Sequence, residues 1–307
     1  MITSIFSKSK PINFIVVFVV IALATTVGCF KTDIQVLSWY GFLKWFGLLM
    51  ATYFSALTLN FIATKNNLSQ TANFEVVLFG LFTLLVAETT IKFNIILANI
   101  FLLFALRRLI SLRSQRHVKQ KLFDVALWVC IAALCYAWAI LFFILVPLAI
   151  LLYTDKELRH WLIPFASIFA VFTIASSYSI LAKFNLLAYF VEGLSISVNF
   201  TNYNSLAFII GLTVLLSFGA WSFVFYIKAI SLKKKALRPS FYLIAYAVVL
   251  SFIIVLIAPN KTGAELLFMF APLAIVMANY IEIISDKWFK ELFFCVLLLV
   301  PFLLLVL

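Results

Sequence analysis

The chain has 307 residues, 66% of them hydrophobic and 11% charged, with a mean hydropathy of +1.18. Soluble domains carry about 25% charged residues, so this composition excludes a water-facing surface on a protein of this size. A lipid-facing surface accommodates the 35 phenylalanines, and the net charge of +12 suits anionic lipid headgroups, where each cation gains about 1 kcal/mol; nucleic acid is not needed to explain it.

Apolar runs follow one another near 12–30, 45–63, 74–90, 93–106, 122–153, 161–181, 205–227, 240–258, 265–284 and 292–307. About 20 apolar residues cross a bilayer as a helix. The first run follows Lys8 and Lys10 as a signal peptide would, and Ala22-Leu23-Ala24 resembles a cleavage site; with so many runs after it, it reads as an uncleaved helix. Pro11, Pro164 and Pro239 stand where helices open, a position that tolerates the missing N–H. Pro147, Pro272 and Pro301 fall within runs and predict kinks or interruptions there. Residues 182–204 are mixed in polarity. Phe184, Leu187, Val191 and Leu194 recur there at helical spacing, which predicts a helix on the outer interface followed by an Asn-rich turn from Asn199 to Asn204.

The run at 122–153 is too long for one crossing. Charge decides how it is used, because Lys and Arg collect on the cytoplasmic side. Arg107, Arg108, Arg113, Arg116, Lys119 and Lys121 form one basic loop, and Lys228, Lys233, Lys234, Lys235 and Arg238 another. Only a hairpin turning near Tyr136 to Trp138 places both inside. The result is an all-α polytopic transmembrane bundle of about 11 helices, a single integral membrane domain over residues 1–307, with a cytoplasmic N-terminus. Eighteen basic residues then lie inside and five outside: Lys31, Lys44, Lys92, Lys183 and Lys261.

Little in the chain suggests a cofactor. Cys29, Cys130, Cys135 and Cys295 all sit in apolar runs and lack redox or zinc spacing, so neither disulfide nor metal site is expected. His117 and His160 lie in charged segments. No ionisable residue falls mid-span; Glu75 and Asp124 lie within a turn of the inner surface. Such groups usually mark ion or proton paths, so a transporter ranks third among the functions open to this chain. The outer ends are richer. Asp33, Glu88, Glu192 and Glu265 lie there with Lys92, Lys183 and Lys261. A carboxylate at that boundary can deprotonate an acceptor hydroxyl or hold a divalent cation, and lysines can meet a phosphate as point charges.

Two resemblances extend this reading. The segments Phe6-Ser7-Lys8-Ser9-Lys10-Pro11-Ile12-Asn13-Phe14, Ala98-Asn99-Ile100-Phe101 with Lys121-Leu122-Phe123-Asp124, and Ala278-Asn279-Tyr280-Ile281-Glu282 resemble a family of multipass proteins of Bacteroidota. That resemblance spans nearly the whole chain and implies an inner (cytoplasmic) membrane and no assigned activity. The second is a pattern. A basic loop before a paired-helix segment at 121–153, and Leu266-Leu267-Phe268-Met269-Phe270-Ala271-Pro272-Leu273-Ala274, look similar to GT-C-fold glycosyltransferases that use polyprenyl-phosphate sugars. The resemblance implies Asp33 as acceptor base or metal ligand, Glu88 as its helper, and Lys92, Lys183, Lys261 and Glu265 as substrate contacts. Two features depart from that pattern: the loop at 31–44 holds one acid rather than a pair, and no Arg accompanies Pro-Leu-Ala. A non-enzymatic membrane scaffold or assembly subunit is the alternative.

Overall fold

The computed structural model describes Thr3, Phe6 and residues 10–32, 38–69, 73–153 and 157–305. Among these residues all regular structure is helical and no strand occurs. Physics favours this outcome, because lipid cannot hydrogen-bond a free peptide group and a helix satisfies its own. In chain order the helices are α1 (Pro11–Lys31), α2 (Trp39–Asn66), α3 (Phe74–Leu85), α4 (Phe93–Ser111), α5 (Val118–Cys135), α6 (Leu145–Tyr153), α7 (Leu158–Leu181), α8 (Leu186–Gly193), α9 (Leu206–Ile230), α10 (Arg238–Ile257), α11 (Leu267–Ile283) and α12 (Lys287–Leu303). Short 3-10 segments join several of them. Among the described residues, seven helices are long and apolar enough to cross a membrane: α1, α2, α4 extended to Ser114, α7, α9, α10, and α11 together with the turn before it. Two shorter apolar segments, Phe74–Leu85 and Ala137–Tyr153, accompany them.

The chain forms two compact units. The first comprises Met1–Ile96, Asn199–Leu232 and Thr262–Leu307. Its core is α3 and α11. Every residue of α3 is buried, as is all of α11 from Leu267 to Ile281. α1, α2 and α12 pack on α3, and α9 on α11. Phe79 and Phe82 of α3 meet the ring of Phe270 at 6.5 and 5.6 Å between centroids. In lipid such packing, rather than a hydrophobic drive, holds helices together, so close approach matters. Gly28 provides it on α1: a Cβ there would lie 2.9 Å from the Ala87 carbonyl oxygen and 3.0 Å from Thr90 and Ile91. Asn279 ties α11 to the end of α2, donating to the Leu68 carbonyl at 2.7 Å.

The second unit comprises Leu97–Val198 and Lys233–Lys261. Here α5 packs chiefly on α7, and Ser167 donates to the Phe123 carbonyl at 2.8 Å. After Cys135 the chain turns through an extended Tyr136 into a 3-10 segment, Ala137–Ile144, that continues as α6. The return is direct. Gln115, just ahead of α5, donates its side-chain amide to the carbonyl of Tyr153, the last residue of α6. Tyr153 and Ser240 share a hydrogen bond of 2.6 Å, which brings the start of α10 to the same end. A 3-10 helix rises about 2.0 Å per residue against about 1.5 Å for an α-helix. The eight 3-10 residues therefore stretch the 17-residue segment 137–153 to about 30 Å, the thickness of a hydrocarbon core.

The prolines divide. Pro11 and Pro239 open α1 and α10 as expected. Pro164 does not open a helix: α7 starts at Leu158, so the proline lies within its second turn. α7 is little buried, with only Pro164, Ser167 and Val171 covered. Pro147 falls in the first turn of α6, just past the 3-10 segment. α8 occupies the stretch expected to lie at the interface, capped by Asn185 through the Ala188 N–H at 3.1 Å, and none of its residues is buried.

Gly28→Ala will lower the stability of the detergent-purified protein by about 1–3 kcal/mol through overpacking. Gly47→Ala on α2, where a Cβ meets nothing within 4 Å, will be neutral or stabilise by up to about 1 kcal/mol through helix propensity. Thermal denaturation of the two variants tests the contrast.

Candidate functional site

One end of the first unit gathers the polar residues. α1 ends at Lys31, where a cation complements the negative end of the helix dipole. The 3-10 turn Ala87–Thr90 brings Glu88 alongside, and Lys31 Nζ stands 2.8 Å from Glu88 Oε1. The lysine side chain is 51% exposed and the glutamate 26%, so the pair contributes no more than about 1 kcal/mol to stability. Both charges remain open to a ligand. They line a cavity of about 420 Å³ whose other walls are largely apolar, among them Leu84, Leu85, Phe208 and Leu304, with Ser205 as a further polar group. Ser205 also caps α9, accepting from the Phe208 N–H at 3.3 Å. A charged rim over apolar walls suits an amphiphile with a phosphorylated or polyhydroxylated head.

A second 3-10 turn, Ala264–Leu266, packs against the one carrying Glu88. Gly263 makes this approach possible. Its φ is +87°, and a Cβ there would fall 2.8 Å from the Phe208 ring and 3.4 Å from Glu88 Cβ. Glu265 follows it, fully buried. The Tyr203 hydroxyl donates to its Oε1, and Thr262 reaches Oε2 with its N–H and hydroxyl at 3.4 Å. Tyr203 also stacks on Phe208 at 4.4 Å. Glu265 thus braces the floor of the cavity from behind.

The residues selected from sequence therefore fall into distinct situations. Glu88 lines the cavity. Asp33 lies outside the described residues. Lys92 is exposed in the same unit, one residue ahead of α4. Glu265 is held by Tyr203 and Thr262. Lys183 belongs to the second unit, exposed and left-handed at φ 51°. Lys261, also in the second unit, is buried to 1% exposure. Its ammonium donates to the carbonyls of Val255 at 3.0 Å, Leu256 at 2.5 Å and Ala258 at 3.4 Å. These are the carbonyls a helix end leaves unpaired, so Lys261 closes α10.

Sequence reasoning did not single out Lys31 or Tyr203. Lys31 stands two residues from Asp33, but its partner is 57 positions away and no local pattern announces the pairing. Tyr203 sat inside an Asn-rich turn with nothing to connect it to Glu265. Among the described residues no cluster of three or more His, Cys, Asp or Glu side chains is placed to hold a metal.

Composition, helical architecture and the apolar lengths define a multipass helical membrane protein. The chain belongs to a family of unknown function (DUF6427), whose model matches residues 1–306. No curated protein and no solved structure matches it.

Replacing Lys261 by Met removes three donated hydrogen bonds from the end of α10 and will destabilise the protein by about 1–3 kcal/mol. Lys183→Met, at an exposed site, will stay within about 0.5 kcal/mol of the parent. Chemical or thermal unfolding in matched detergent measures both.

Proposed function

We propose that the first unit binds the head of a lipid-linked, phosphorylated sugar at the outer leaflet of the inner membrane and acts as a GT-C-like glycosyltransferase or a degenerate relative of one. The observation that carries the reading is the Lys31–Glu88 pair on the rim of an apolar-walled cavity. In this scheme the chain crosses the membrane eleven times from a cytoplasmic N-terminus, as one integral domain. Geometry within each unit agrees with that threading. Lys31, Glu88, Ser205, Gly263 and Leu304, all assigned outside from charge, meet at one end of the first unit. Gln115, Tyr153 and Ser240, all assigned inside, meet in the second.

The chemistry follows from the groups present. An acceptor hydroxyl attacks the anomeric carbon while the bond to the lipid phosphate breaks. Glu88 or Asp33 takes the hydroxyl proton. Lys31 and Lys92 meet the negative charge that the departing lipid phosphate carries away. Lys261 and Glu265 serve as supports, holding the end of α10 and the cavity floor, each in its own unit.

The alternative is a non-enzymatic membrane subunit, favoured by the exposed apolar surface of α7, where Phe165, Phe169 and Phe172 are all more than half exposed. Mass spectrometry of lipids retained after gentle purification separates the two. The proposed function predicts a polyprenyl phosphate or its glycosylated form on the parent protein. Lys31→Ala should retain at least about tenfold less, since losing a charge-assisted contact to the phosphate costs about 1.5–3 kcal/mol. A protein that carries no such lipid and instead co-purifies with a stoichiometric partner contradicts it.

A further inference from the structure

In the second unit α5 and α7 run side by side in one register. The Ser167 hydroxyl meets the Phe123 carbonyl 44 positions earlier, and burial on α7 is confined to Pro164, Ser167 and Val171. Past Val171 the two helices leave a cavity of about 490 Å³ between them. Leu127, Ile131 and Leu134 wall it from α5, and Val171, Ala175 and Tyr178 from α7. These pairs keep the same offset of 44, so the helices stay in register while their surfaces part along a straight apolar groove. From Leu127 to Leu134 the groove runs about 10 Å. One leaflet contributes roughly 15 Å of hydrocarbon, half of the full core. A partner helix crossing the membrane needs about 30 Å, and the packing at Ser167 blocks that length. The groove fits one lipid chain.

The other end of the groove is built by the corner between α7 and α8. The Phe184 N–H reaches back to the Ser179 carbonyl at 2.9 Å and the Lys183 N–H to that of Ile180 at 3.4 Å, the double pairing of a Schellman cap. Lys183 takes its left-handed position, φ 51°, where glycine is usual. A cation is thus kept there against backbone preference. Phe184, Leu186 and Tyr189 add to the cavity wall. Two contacts pin α8 across the end of α5. The Tyr189 hydroxyl donates to the Leu134 carbonyl at 3.0 Å, and a Cβ on Gly193 would fall 2.8 Å from the Cβ of Ala137. So held, α8 cannot swing in to fill the groove. None of its residues is buried, as suits a helix at headgroup level. Its acid, Glu192, stands almost two turns from its start. Lys183, exposed and adjoining Phe184, is the nearer charge along the chain. An apolar groove left empty forfeits its dispersion contacts, and in a bilayer the group at hand to restore them is an acyl chain.

We infer that this groove holds one acyl chain of a bilayer phospholipid with a net negative head, whose phosphate lies at Lys183. The inference concerns the second unit and does not rest on the glycosyl reading, since its variants leave Lys31 and Glu88 untouched. The test reconstitutes the full chain in phosphatidylcholine vesicles that carry a trace of one probe, phosphatidylglycerol or phosphatidylcholine with a diazirine on the acyl chain. After irradiation, peptide mass spectrometry reads the adducts on residues 127–134 and 171–189. The expected yield there is about fivefold higher for the phosphatidylglycerol probe, the gain from one cation near a lipid head. Lys183→Met should make the two yields equal. Ala175→Phe, which fills the groove, should bring both to background. Equal yields in the parent protein overturn the inference, as does an excess of phosphatidylglycerol adducts that survives in Lys183→Met. So do parent-like adducts in Ala175→Phe, or a co-purifying protein that shields the groove from both probes. Lys183→Met changes an exposed residue, so the test stays decisive if Ala175→Phe does not fold.

Discussion

Lipid offers no hydrogen bond to a peptide group, and the chain must meet that constraint over a fixed thickness. The helices long enough to do so need little comment. The segment after Tyr136 is more informative, because its 17 residues would fall short of a hydrocarbon core as a plain α-helix. Winding the first eight as a 3-10 helix lengthens the segment while keeping its backbone paired. Runs of that length are uncommon, since 3-10 hydrogen bonds are poorer. Here the poorer bonds are offset by the reach they give, and by packing of Ala137, Ala139 and Phe142, all buried. With that segment returning to Gln115, both basic loops border one end of the second unit, and the arrangement the charges demand becomes geometrically possible.

The same constraint explains where polar groups are used. Lys261 is spent on helix-end carbonyls, and Glu265 on Tyr203 and Thr262, because an unpaired polar atom in such surroundings costs far more than a surface one. Among the described residues, Lys31, Glu88 and Ser205 stay open around one cavity of the first unit. Glu75 stands apart as a wholly buried carboxylate at the start of α3.

Much of the fold was legible in the sequence. The ten apolar runs cover eleven of the twelve helices described, with α2 starting at Trp39 ahead of its run at 45 and α8 foreseen only from the amphipathic spacing after residue 182, and the excess of basic residues in two loops marked the hairpin at Tyr136. Pro164 misled because α7 starts at Leu158, one turn and a half before the proline, so the ring costs the helix only a bond near its first turn. The candidate site was legible only in part. Glu88 was found because it is an acid at a helix end. Lys261 looked like a free cation for the same reason, and nothing local distinguishes a lysine in solvent from one folded back onto three carbonyls. The Lys31–Glu88 and Tyr203–Glu265 pairs join residues about 60 positions apart, which only the packing of the helices reveals.

The account stands on segment 137–153 being a full crossing, so that the turn at Tyr136 and the lysines ahead of α10 lie on opposite faces of the membrane. With Cys29, Cys130, Cys135 and Cys295 replaced, a single cysteine introduced by Tyr136→Cys or by Lys234→Cys can be probed with a membrane-impermeant maleimide on intact cells. The expected result is labelling of Tyr136→Cys from outside and of Lys234→Cys only after the membrane is opened. Labelling of both from the same side would make the segment re-entrant and reverse the sidedness of everything that follows it.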